Sequence, residues 1–139
     1  MSSIAELKDD NGAVIYPKTL WEAVDGRPLD TGWKNMTMAS GAEGSSSDVP
    51  QYRRIGNLVY LTGQVTTHGI VGPIATLPVG YRPALDVHRD PSVASSTRTE
   101  TVRVYVSTAG VVSVISAYHD FGIWLDIFCF LTDEPFPLN

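Results

Sequence analysis

Three histidines, one cysteine and fifteen carboxylates are the side chains of this 139-residue chain best suited to chemistry, and their spacing argues against most of it. His68, His88 and His119 lack the spacing of a helical zinc motif, and none stands beside Cys129 in sequence. In "DVHRD", residues 86–90, extended backbone would set Asp86, His88 and Asp90 on one side, a set able to hold a divalent cation. A solvated loop is the reading this segment favours. In "YHDFG", residues 118–122, His119 and Asp120 have the types of an acid–base pair, in a turn that suits both without catalysis. Cys129 lies in the apolar run "IWLDIFCFL", where a thiol is expected to act as a small hydrophobe. There is no G-x-S-x-G elbow and no G-x-x-x-x-G-K-[ST] loop, and "SSSD" at 45–48 has no base beside it. Glycosidase carboxylates can stand far apart in sequence, but a chain this short leaves little room for both a cleft and a core. The chain reads as non-catalytic, with no cofactor and no metal.

Binding is the better match to the residues present. Tyr60, Tyr105, Tyr118 and Trp124 are interleaved with polar groups, and such surfaces suit sugars, whose C–H faces stack while hydroxyls find donors and acceptors. The candidate ligand-binding residues are Tyr118, His119, Asp120, Trp124 and Asp126, with Arg103 and Tyr105. The loops "ASGAEGSSSDVP", "DVHRDPSVASSTR" and "AYHDFG" are where a pocket is expected. Formal charge is -5, and the ten Lys and Arg form no basic stripe, which disfavours nucleic acid as a partner. No run approaches the ~18 apolar residues of a membrane span, and "MSSIAELKDDNG" lacks the basic and apolar regions of a secretory signal.

The elements that must position these residues read as strands. Val59, Leu61 and Val65 alternate with Tyr60, Thr62, Gln64 and Thr66, the period of a half-buried strand. Val102, Val104 and Val106 alternate with Arg103 and Tyr105, and "TAG" at 108–110 predicts a hairpin turn into "VVSVISAY". "WKNMTM" predicts a first strand. Residues 123–131 predict a single last strand, apolar on both faces: Ile123, Leu125, Ile127 and Cys129 on one, Trp124, Phe128 and Phe130 on the other. Either a loop covers its second face, or that face lies in a subunit interface. Short strands with Gly and Pro punctuation define an all-β class, a sandwich or barrel. Residues 1–28 differ: Asn11-Gly12 and Asp25-Gly26 turns flank a segment, 18–24, that can form one or two helical turns with Leu20, Trp21 and Val24 on one face. Such a helix needs something to pack on. The chain therefore divides into an attachment segment, 1–28, and a head domain, 29–139.

One arrangement of motifs is more specific. Gly56, Asn57, Val59, Gly63 and Val65 precede "LPVGYRP" (Leu77, Pro78, Gly80, Tyr81, Arg82, Pro83), then Val104, Val106, Gly110 and Val112, then the aromatic terminal strand. This order resembles the receptor-binding and tail-fibre tip domains of tailed bacteriophages. Tyr16, Pro17, Thr19, Ala23 and Val24 resemble the lead-in of Gram-positive phage baseplate and tail proteins. The resemblance implies an antiparallel, jelly-roll-like β-sandwich head that forms a homotrimer in the virion tail tip or baseplate. It implies binding to a bacterial cell-wall or surface polysaccharide, and attachment to other tail or baseplate proteins through residues 1–28. The alternative is a trimerisation or adaptor module without its own receptor. In a trimer, Trp124, Phe128 or Phe130 would meet near the axis, and Asp126 would need Arg103 or Arg98 as partner. "LPVGYRP" is expected to hold the head together, since Pro78 and Pro83 fix φ and Gly80 opens turn conformations closed to other residues.

Overall fold

The computed structural model describes residues 29–138; the helical reading of residues 18–24 and the attachment segment lie outside the described residues. The described chain is all β: an antiparallel sandwich of twelve short strands, numbered along the chain, in three four-stranded sheets. The first sheet has the order β1 (Lys34–Asn35), β3 (Gln51–Ile55), β4 (Leu58–Thr62), β12 (Cys129–Leu131). The second has the order β6 (Gly72–Thr76), β10 (Val111–Val114), β9 (Val104–Val106), β7 (Val87–Arg89). The third has the order β2 (Glu43–Gly44), β5 (Gln64–Thr66), β11 (Gly122–Trp124), β8 (Val93–Ala94).

Alternation decides which faces are buried. Val59, Leu61 and Val65 point into one core cluster with Val104, Val106, Val112 and Val114 of the second sheet and Val93 and Ile123 of the third. Tyr60, Thr62, Gln64 and Thr66 are half-buried on the other side. The turn after β9 closes as its composition predicts: Gly110 takes φ +85, and its N–H donates to the Ser107 carbonyl at 2.8 Å. Its own carbonyl accepts from Leu77 N–H at 2.8 Å, tying "LPVGYRP" to the second sheet.

The last strand departs from expectation. Residues 123–131 form two strands in two sheets, separated by a turn at Asp126-Ile127 in which Phe128 N–H donates to the Leu125 carbonyl at 3.0 Å. The turn shifts the alternation by one residue. Ile123 and Leu125 point inward before it, and Phe128 and Phe130 after it, so Phe128 and Phe130 belong to the chain's own core. Ile127, Cys129 and Leu131 turn outward, and Cys129 is an exposed thiol where a buried hydrophobe was expected. The opposing stretch breaks in step: Gly63, at φ +96, separates β4 from β5. Leu125 N–H donates to the Gly63 carbonyl at 2.9 Å, and Leu61 N–H to the Phe128 carbonyl at 3.1 Å. Both strand pairs thereby cross from the first sheet into the third at one corner, the usual place for a bulge.

Two further expectations are corrected. "WKNMTM" supplies only the two-residue β1, plus an isolated bridge from Met38 to Ala75 of β6. The segment 86–98, expected to be a loop, contributes β7 and β8, because Val87 and Val93 are buried anchors within it. Asp86, His88 and Asp90 do not converge: Asp86 accepts from Thr108 N–H at 3.0 Å, Asp90 pairs with Arg103, and the His88 ring lies on Tyr105, centroids 4.7 Å apart.

Among the described residues the largest fully buried side chain is charged. Arg54, on β3, is 2% exposed. Its guanidinium donates to the carbonyls of Gly56 (2.8 Å), Gly80 (2.7 Å), Glu134 (2.8 Å) and Pro135 (3.2 Å), and to Asn57 Oδ1 at 3.3 Å. Phe136 covers it, with the guanidinium carbon 5.1 Å from the ring centroid. Burial pulls its pKa down, but an arginine surrounded by acceptors stays protonated. Glu134 Oε1 in turn accepts from Gly80 N–H (2.9 Å) and Arg82 N–H (3.0 Å), and Oε2 accepts from Arg82 Nε at 2.8 Å. Leu77, Gly80, Tyr81 and Pro83 are buried around this clamp, and Tyr52 meets Tyr81 edge to face at 4.6 Å.

Arg54→Ala strands these carbonyls in a closed space and should cost roughly 3 kcal/mol or more in urea unfolding. The hydrogen bonds from Arg82 hold the Glu134 carboxyl below the ordinary glutamate value. Because the folded pKa is depressed, its stabilisation is complete above about pH 4.5, the unfolded value, and drains away as pH falls through the folded one. Glu134→Gln should remove that part of the acid-side slope, read as melting temperature against pH.

Candidate functional site

The seven candidate ligand-binding residues separate into three places. Tyr118, His119 and Asp120 sit in the turn before β11. Tyr118 is buried, and its hydroxyl accepts from Thr67 N–H at 2.7 Å while lying 3.1 and 3.2 Å from the Thr66 and Thr67 hydroxyls. That phenol is occupied by the fold and presents no platform. His119 does not pair with Asp120: its Nδ1 lies 2.6 Å from Glu100 Oε2, and its N–H donates to Glu100 Oε1 at 3.1 Å. The His119 contact lowers the Glu100 pKa. Asp120 instead accepts from the Thr66 hydroxyl at 3.2 Å and faces His68 Nδ1 at 3.5 Å.

Tyr105 lies on β9 and Arg103 immediately precedes that strand, both on the outward side of the second sheet. Arg103 forks onto Asp90 with Nε–Oδ1 at 2.6 Å and Nη2–Oδ2 at 2.8 Å, and that contact lowers the Asp90 pKa. Burial raises the Tyr105 pKa, with Asp86 contributing. Arg103 is thus committed to Asp90 and does not serve Asp126.

Trp124 and Asp126 are brought together, with partners that sequence reasoning did not join to them. They line an open cleft of about 230 Å3 at the sheet-switching corner with Ser47, Asp48, Gln51 and Thr62; Val49 and Gly63 complete it. Gly63 makes this possible. A Cβ there would stand 2.5 Å from the Val49 carbonyl and 2.6 Å from Pro50 Cα, so only glycine lets the 45–50 loop lie on the corner. Gln64 N–H then donates to the Asp48 carbonyl at 2.8 Å, carrying Asp48 into the cleft. Asp126 caps the corner: Oδ1 accepts from the Thr62 hydroxyl and from Gly63 N–H, both at 3.2 Å. The loop wall is self-supported, since Ser45 Oγ accepts from the N–H groups of Ser47 (3.3 Å) and Asp48 (3.2 Å). A half-buried indole beside carboxylates, hydroxyls and an amide can stack one face of a ring and accept hydrogen bonds from its edge. The only local sign was Gly63 followed by an alternating strand, which says that something approaches closely but not what.

A second surface feature is apolar. Leu58, Leu85 and Leu131, the last two 78% and 63% exposed, line a groove of about 410 Å3 between the edge strands β12 and β7, together with Cys129. Among the described residues no cluster of His, Cys, Asp and Glu is arranged to hold a metal ion, and no helix is long and apolar enough to cross a membrane.

Neither a family model nor a curated protein sequence matches the chain. The fold, in contrast, is that of phage receptor-binding heads. The receptor binding protein gp15 of Listeria phage PSA superposes with a TM-score of 0.66 and 22% identity, covering 84% of this chain and 71% of that one. The head domain of phage bIL170, described among the receptor-binding domains of lactococcal phages, superposes with a TM-score of 0.52 and 17% identity, covering 72% and 94% of the two chains.

Tyr118→Phe should lower stability by about 1 kcal/mol in thermal unfolding, since it strands the Thr67 N–H, and should leave the Trp124 fluorescence unchanged.

Proposed function

We propose that this chain is the non-catalytic head of a phage adhesin, attaching the virion by binding a bacterial cell-wall or surface saccharide. The observation that carries this reading is the Trp124–Asp126 cleft on a fold shared with two phage receptor-binding heads. In this reading Trp124 stacks the sugar ring, Asp126 and Asp48 accept from its hydroxyls, and Gln51, Thr62 and Ser47 fix its orientation. "LPVGYRP" is scaffold, because its buried residues and the Arg54–Glu134 clamp leave it occupied. Residues 29–139 act as the head, and residues 1–28 attach it to other tail or baseplate proteins. The working unit is a homotrimer. Its support is the apolar groove of Leu58, Leu85 and Leu131, which a second copy would remove from water.

Trp124→Ala should weaken adsorption to a panel of bacterial cell walls at least ~10-fold with little change in melting temperature, read by co-sedimentation. Light scattering should give three chains per particle, and Leu131→Asp with Leu85→Asp should return monomers. A trimer that adsorbs to no wall would favour the adaptor alternative, and a persistent monomer would sink the trimer.

A further inference from the structure

We infer that the Trp124 cleft reads an uncharged sugar ring of a surface polymer and excludes its phosphate- or carboxylate-bearing units; this rests on the adhesin reading above. Among the described residues the cleft is lined by two carboxylates, Asp48 and Asp126, and by no Lys, Arg or His. Both hydrogen bonds that Asp126 accepts fall on Oδ1, and among the described residues Oδ2 accepts none, so it faces a ligand as an acceptor only. An uncharged hydroxyl donates a hydrogen bond to such an oxygen. A phosphate oxygen brings no proton and a second negative charge.

Among the described residues Arg53 is paired with Asp30, Arg82 with Glu134 and Arg103 with Asp90, and Arg54 is buried; Lys34, Arg89 and Arg98 remain, and none of them lines the cleft. With a formal charge of -5, the chain as a whole repels a polyanion. The apolar wall points the same way: Trp124 and the 40%-exposed Val49 offer contact area to C–H faces rather than donors to an anion. Specificity here is carried by what the cleft repels as much as by what it holds.

The test measures adsorption of the full chain to a panel of bacterial cell walls at 20 and 500 mM NaCl, with two kinds of competitor. One is a set of uncharged mono- and disaccharides, the other soluble poly(glycerol phosphate). The expected result is adsorption that changes less than ~2-fold between the two salt concentrations, is displaced by at least one uncharged sugar, and is untouched by poly(glycerol phosphate). Asp126→Asn should lose at least ~10-fold in uncharged-sugar competition, and so should Asp48→Asn, which leaves the Asp126 cap of the corner and the Asp48 carbonyl contact intact. Adsorption that falls with salt, or that poly(glycerol phosphate) displaces, overturns the inference and leaves the adhesin reading standing. A chain that adsorbs to no wall at either salt concentration overturns both.

Discussion

A guanidinium in a protein interior must find acceptors or the fold does not close, and here the requirement falls on Arg54. Its acceptors come from three stretches: the turn after its own strand (Gly56, Asn57), the "LPVGYRP" loop (Gly80) and the C-terminal strap (Glu134, Pro135). None of those carbonyls is paired within a sheet ladder, so the charge and the loops solve each other's problem. Glu134 completes the arrangement without touching Arg54 directly through its carboxylate, holding Gly80 and Arg82 from the other side. The strap therefore closes onto the first sheet, and Leu77 with Gly110 passes the attachment to the second. The most distinctive motif in the sequence is thus spent on holding layers together.

The cleft is built by a different device, well separated from that clamp in its lining residues. Two strand pairs change sheets at a single corner, and a corner needs a residue with no side chain and an acceptor for the N–H groups the ladder drops. Gly63 supplies the first and Asp126 the second. The floor of the cleft is then backbone geometry, while its wall is a loop of serines and an aspartate whose composition the fold hardly constrains. Such a division lets the wall change its chemistry without disturbing the core.

This division explains what the sequence made legible. The all-β class, the alternating strands through Val59 and Val104, and the Gly110 turn follow from local patterns, and the structure has them. The last strand departs from its sequence reading because a two-residue turn at Asp126-Ile127 leaves no glycine or proline as a marker, and a run apolar apart from Asp126 hides the phase shift. Arg54 was invisible for a related reason: an arginine on a polar-looking strand reads as solvated, and only the chain's return at Glu134 shows its acceptors. Residue type alone marks the ligand candidates, and the fold brings Trp124 and Asp126 into one cleft while committing Tyr118 to Thr67 and Arg103 to Asp90. Pairing across long sequence separations is what a single sequence hides.

The openness of the cleft bears on the rest of the proposed assembly. Enclosed pockets bury most of a small ligand, whereas a shallow depression reaches one face and one edge of a ring. A single such site holds its ligand weakly, because the contact area gained is small against the freedom lost on association. Weak sites become useful when their spacing is fixed, where linkage can add ~100-fold or more in avidity without a new contact. Among the described residues the exposed groove of Leu58, Leu85 and Leu131 shares none with the cleft, so copies joined through it would keep those cleft residues free. Under the proposed function, assembly and recognition would place separate demands on the sequence: apolar edges that stay fixed, and a loop wall free to follow the ligand.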